Sequence, residues 1–186
     1  MEKNDQMSES FLLASLLAIV GGFLDAYSYV CRDHVFANAQ TGNIVKLGMS
    51  IAQGDSFQTV KYLIPILAFF LGVFITMFLR YQCMYQKWHW RQIILMIEMM
   101  ILVIVSFIPI GSYNRIVHIL ISFLCAMQAE CFKKVLGSSF SSTMCTGNLR
   151  SGVENLYRGI FQNDKQAIQK CFCYITITCF FILGVI

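Results

Sequence analysis

Two stretches of this chain carry the same polar triplet. FANAQTGNIVKLG (36–48) and SSTMCTGNLRSG (141–152) each hold Thr-Gly-Asn, followed closely by a basic residue. Thr and Asn are helix-capping types, and Gly admits backbone angles that other residues resist. A short helix opened by such residues presents free N–H groups and the positive end of its dipole. That end suits an anion or a polar solute, and Lys46 and Arg150 add positive charge. The same residues also serve a purely structural end, turning the chain in an apolar medium without orphaned backbone groups. The candidate binding residues here are Thr41, Gly42, Asn43 and Lys46 in the first stretch, with Thr146, Gly147, Asn148 and Arg150 in the second.

Acids inside apolar segments are the second candidate set. Asp25 follows Ala14, Ala18 and Gly21 at helical spacing and precedes Ser28, which places all five on one helix face. Small residues there allow close helix contact, so Asp25 is expected to face protein, as a cation or proton site, a partner of Lys46, or a cap near the headgroups. Glu130 lies on a face with Ser122 and Ala126, two residues after Gln128 and just before Lys133 and Lys134. An interfacial ion pair competes there with a functional role. Glu98 sits among isoleucine and methionine and must pair or neutralise inside the bundle, whereas His118 is expected at the interface.

Other chemistries find no residues to carry them. No P-loop, dinucleotide fingerprint, zinc-protease motif or nucleophile elbow is present, and the three histidines are far apart. No enzyme activity and no cofactor are therefore expected. Eight cysteines form no C-x-x-C pair and read as small apolar packing residues. The net charge of +4 comes from scattered basic residues, with no stripe for nucleic acid.

These residues need elements to position them. The 186-residue chain is 57% hydrophobic and only 13% charged. Tyr62–Leu79 and Cys171–Ile186 carry no charge at all, as membrane-spanning helices do. The expected fold is an all-α, polytopic helical membrane protein embedded in a lipid bilayer. Five long apolar helices are predicted at about 11–30, 62–79, 92–109, 116–132 and 167–186, with short ones at about 43–52 and 148–157. At 1.5 Å per residue the short helices cannot cross a 30 Å core. If both dip in and return, ten basic residues fall on one side and four on the other, so re-entrant helices and a cytoplasmic N-terminus are expected. Trp88 and Trp90 read as interfacial anchors.

An internal repeat organises the chain. The triplets lie 105 residues apart, and at that offset Asp25 falls on Glu130. FFLGV (69–73) returns as FFILGV (180–185). Three spans separate equivalent points, and an odd number inverts the second copy, an arrangement common in secondary transporters. The expected repeats are 1–111, with a re-entrant helix at 41–53, and 112–186, with one at 146–158 and a final helix missing. The expected function is a small-solute transporter or permease, its site between the two triplet half-helices and its solute polar or anionic. A homodimer fits so small a helical core. A non-transporting scaffold or assembly protein, or a truncated inactive copy, is the alternative.

The order GGFLDAYSYV, VFANAQTGNIVKLG, CAMQAECFKKV and TMCTGNLRSG resembles the YoaK-like family of bacterial integral membrane proteins, over nearly the whole chain. The resemblance implies a bacterial inner-membrane protein of about six spans and brings no substrate or reaction with it. This chain departs from the family pattern by ending early and by placing Glu130 beside Gln128.

Overall fold

Helix starts and stops are written into the polar residues between the apolar runs. A computed structural model describes residues 10–82, 90–135, 138–139 and 145–186. Ser10 Oγ accepts from the Leu13 amide and opens α1 (Phe11–Cys31). That helix stops where Asp33 and His34 adopt positive φ, 61° and 58°, and the His34 amide bonds back to the Tyr29 carbonyl. Asp and His tolerate this left-handed region better than most residues. An extended segment then leads into α2 (Gln40–Ala52). Gly54, at φ 69°, turns the chain, and Asp55 caps α3 (Ser56–Gln82) by accepting from Gln58.

Next come α4 (Trp90–Phe107) and α5 (Asn114–Cys131), joined by a turn through Gly111 at φ 120°. Two-residue strands β1 (Lys134–Val135) and β2 (Ser138–Ser139) pair antiparallel before α6 (Cys145–Phe161). Asp164 caps α7 (Lys165–Val185), accepting from Gln166 and Ala167.

The chain divides into two compact units, Leu24–Cys131 and the stretch up to Phe23 taken with Phe132–Ile186. In the first unit α5 is the central helix. It packs on α3 and α4, and α2 packs on α3. The close contact of α3 and α5 needs Gly72, where a Cβ would lie 2.6 Å from the Phe123 carbonyl oxygen and 2.7 Å from Ala126 Cβ. In the second unit α6 packs on α7, and α7 packs on the first half of α1 through Ala14, Ala18 and Ile177. Here Gly22 faces the Phe181 carbonyl and Gly184 faces the Ile19 carbonyl, both too close for any Cβ.

All seven expected helices are present among the described residues, but four of them, α1, α3, α4 and α7, are long and apolar enough to cross a membrane. The fifth long helix expected, α5, is not in that set because Asn114, Arg115, His118, Ser122, Gln128 and Glu130 dilute its apolar run. Eleven of its 18 residues are buried, so it meets protein where α3 meets its surroundings with Phe70, Phe74 and Phe78 exposed. A helix sheathed in protein has no need of an apolar surface all round. The seven described cysteines are free; Cys83, Lys3, Lys87, Trp88 and the SSTM of the second triplet stretch lie outside the described residues.

Candidate functional site

The extended segment after α1 is held by side chains on both helices that flank it. Asp25 Oδ1 accepts from the amides of Asn38 (3.0 Å) and Ala39 (3.2 Å). Ser28 Oγ accepts from the Ala37 amide at 3.1 Å. From α2, Asn43 reaches back with both ends of its amide: Oδ1 accepts from the Phe36 N–H, and Nδ2 donates to the Phe36 carbonyl and to Gln40 Oε1. Gln40 in turn donates to the Ala37 carbonyl at 2.9 Å. Each buried backbone group paired this way avoids a desolvation cost of about 1–3 kcal/mol.

Two expectations about the triplets are corrected by this geometry. Thr41 and Asn43 do not cap α2. The helix begins earlier, at Gln40, its cap position is Ala39, and no side chain of that residue bonds the first turn. Thr41 stands exposed inside the first turn, and buried Asn43 organises the segment before the helix. The Asp25 carboxylate lies at the positive end of α2, the place that the sequence alone left for an outside anion. Gly42 serves close approach: a Cβ there would meet the Phe36 ring at 2.8 Å.

The second triplet repeats the pattern of exposure. It too lies inside the helix start, since α6 begins at Cys145. Thr146 and Gly147 are exposed and Asn148 is buried. Arg150 is exposed and pairs with Glu154 at 2.8 Å, one turn along α6.

Arg32, which reads in the sequence as a loop charge, is buried at 2% exposure. Its guanidinium donates to the Tyr27 hydroxyl from two nitrogens, to the carbonyls of Ile108 (2.7 Å) and Pro109 (2.8 Å), and to Asn114 Oδ1 (3.1 Å). Five donated bonds match the five N–H groups of arginine. The two carbonyls follow the C-terminal end of α4, where a cation is favoured. Asn114 also donates to Asp33 Oδ2 at 2.8 Å, which ties the acid into the same cluster.

From this cluster a buried polar stripe runs along α5. Asn114, His118, Ser122, Cys125 and Gln128 are spaced 4, 4, 3 and 3, and each is at most 3% exposed. Fourteen residues of helix cover about 21 Å. His118 is therefore buried in protein; its ring lies against the Arg32 backbone short of hydrogen-bond geometry, with Asp33 and Lys61 the other charges near it. Cys125 is within electrostatic reach of both Asp25 and Glu98. Glu98 lies on the buried face of α4 with Ile94, Ile101 and Val105. Among the described residues, the side-chain amide of Asn38, Glu98 Oε1 and Ser122 Oγ are buried with no hydrogen-bond partner in the protein. Unpartnered buried polar groups are costly, and an ionisable one within a membrane span, such as Glu98, is a candidate functional group.

The unit Leu24–Cys131 thus brings together Asp25, Thr41, Gly42, Asn43, Lys46, Gln128 and Glu130. Gln128 is in the stripe, whereas Glu130 is half-buried at the end of α5. Thr146, Gly147, Asn148 and Arg150 belong to the other unit. Arg32 and Asn114 were not singled out from the sequence, and Ser122 was placed only on the face of Glu130; the polar spacing along 114–128 was the signal that could have joined Asn114 and Ser122.

Four apolar helices of membrane-crossing length define a multi-pass helical membrane protein, and the unit Leu24–Cys131 buries carboxylates and amides among its helices. Residues 13–186 match the family of proteins of unknown function DUF1275, and the chain belongs to that family. It is similar to the UPF0700 transmembrane protein YoaK of Bacillus subtilis (strain 168), with 29% identity over 165 residues, covering 85% of this chain and 72% of the relative. No solved structure matches.

Proposed function

We propose that the protein is a small-solute permease of the bacterial inner membrane, built from two inverted repeats with short re-entrant helices α2 and α6. The observation that carries the reading is the buried polar stripe on α5, which includes unpartnered Ser122 and runs within electrostatic reach of Glu98 on α4. Because Asp25 neutralises the positive end of α2, the solute is polar and neutral or cationic, not an anion.

Contacts within each unit support the repeat. α2 and α6 begin 105 residues apart, at Gln40 and Cys145, the same offset as the triplets. Gly72 on α3 packs against Phe123 of α5, and its counterpart Gly184 on α7 packs against Ile19 of α1. Helix three of one repeat therefore touches helix one of the other in both cases. Lys46 Nζ stands over the Tyr62 ring, and Ser151, 105 residues on, bonds the hydroxyl of Tyr174.

The test is solute flux into proteoliposomes under iso-osmotic gradients of polar solutes. Wild type is expected to pass at least one class faster than protein-free vesicles, and Ser122→Leu, which plugs the stripe, is expected to slow it about tenfold or more. No flux above protein-free vesicles for any solute rules the reading out and leaves a membrane scaffold. That second reading draws on Asp25 and Asn43, whose hydrogen bonds go to the protein's own backbone.

A further inference from the structure

Lys46 ends in an aromatic enclosure. Its Nζ lies 4.6 Å from the ring centre of Tyr29, 5.2 Å from Phe36 and 5.4 Å from Tyr62, and it donates to the His34 carbonyl at 2.7 Å. Three rings from three places in the chain converge on one ammonium: Tyr29 from α1, Phe36 from the extended segment, Tyr62 from α3. Ring faces carry partial negative charge, and several around one site are how proteins recognise ammonium ligands.

The enclosure is built, not incidental. Tyr29 and Phe36 stack at 4.5 Å with planes 21° apart. Gly42 leaves room for the Phe36 ring against α2, and Asn43 pins both backbone groups of Phe36. The positive φ of Asp33 and His34 turns the chain where the His34 carbonyl meets the ammonium. The first triplet thus positions one wall of the cage. The second copy differs: Ser151 stands where Lys46 does, and among the described residues nothing packs within 4 Å of a Cβ at Gly147. Burial, and then the nearby charge of Lys61, lowers the Lys46 pKa from its ordinary value, so the tethered cation is held at some cost.

We infer that Tyr29, Phe36, Tyr62 and the His34 carbonyl form a binding site for an alkylammonium head group, occupied by the Lys46 side chain until a ligand displaces it. Lysine is a flexible stem with a single charged tip, so it leaves the cage by rotamer changes alone. The site exists whether or not the protein transports anything. Its ligand is an organic ammonium; a small inorganic cation, strongly hydrated, gains less from ring faces.

Two measurements on the full chain in detergent test it. Lys46→Ala empties the cage, and methylammonium is expected to bind that variant about tenfold or more tighter than wild type, followed by tyrosine fluorescence; adding Tyr62→Leu removes the gain. Equal binding by wild type and Lys46→Ala, or equal binding of potassium, overturns the assignment. The second measurement needs no variant. Tetramethylammonium, inert to acylation, is expected to raise the rate at which an amine-reactive ester labels Lys46, with sodium chloride at equal ionic strength as control and exposed Lys170 as internal reference. A Lys46 labelling rate indifferent to tetramethylammonium overturns it independently of how the alanine variant folds.

Discussion

At the scale of single residues, the two triplets are identical in sequence and differ in what surrounds them. Gly42 lies under the Phe36 ring, while Gly147 has no described atom within 4 Å of a Cβ. The same substitution is therefore expected to have opposite signs. Gly42→Ala forces the Phe36 ring to shift and should destabilise by roughly 1–2 kcal/mol, a modest case of overpacking. Gly147→Ala restricts the unfolded chain without a clash and should stabilise by roughly 0.5 kcal/mol. Thermal melts of the two variants in the same detergent check this; a loss of equal size in both contradicts the distinct environments. Asp25 illustrates a related point. Its type and helical face were readable, but its partners, the Asn38 and Ala39 amides, are 13 and 14 residues away through an extended segment whose path no local pattern specifies.

At the scale of elements, Arg32 joins the end of α1 to the turn between α4 and α5. Its partners on that turn are 76 to 82 residues away in sequence. Lysine offers three donors on a stem without the planar fork, so it cannot reach the Tyr27 hydroxyl, two carbonyls and Asn114 together. Arg32→Lys is expected to cost about 3 kcal/mol, as hydrogen bonds of a charged donor are lost. For a chain of this length that lowers Tm by roughly 6–12 °C. A melt within about 2 °C of wild type sinks the clamp. The same element scale explains α5. Its polar stripe weakens the apolar signal that marks a span, yet the stripe is where the interior is polar.

At the scale of the whole molecule, the proposed architecture requires that α2 dips and returns. Thirteen helical residues make about 20 Å, short of the hydrocarbon core. Asp33 before α2 and Asp55 after it are both exposed. In a background without native cysteines, Asp33→Cys and Asp55→Cys are expected to react with a membrane-impermeant thiol reagent from the same side of sealed vesicles. Labelling from opposite sides shows a crossing helix and removes the re-entrant half of the proposed architecture. The reciprocal glycine contacts, Gly72 on Phe123 and Gly184 on Ile19, would remain as marks of a duplication.

The sequence by itself determined the class, the seven helices within a few residues at most ends, the triplet repeat and the acids within apolar segments. These are local: apolar run length, periodicity and capping types act over one or two turns, so they survive without knowledge of neighbours. Only the tertiary structure decided that Asn43 pairs with Phe36, that Asp25 rather than a solute meets the start of α2, that Arg32 is buried, and that Lys46 lies among three rings. Each of these is a meeting of residues brought together by the path of an extended segment or by the packing of separate helices. Hydrogen-bond partners and burial belong to that packing, and one-dimensional spacing does not encode them.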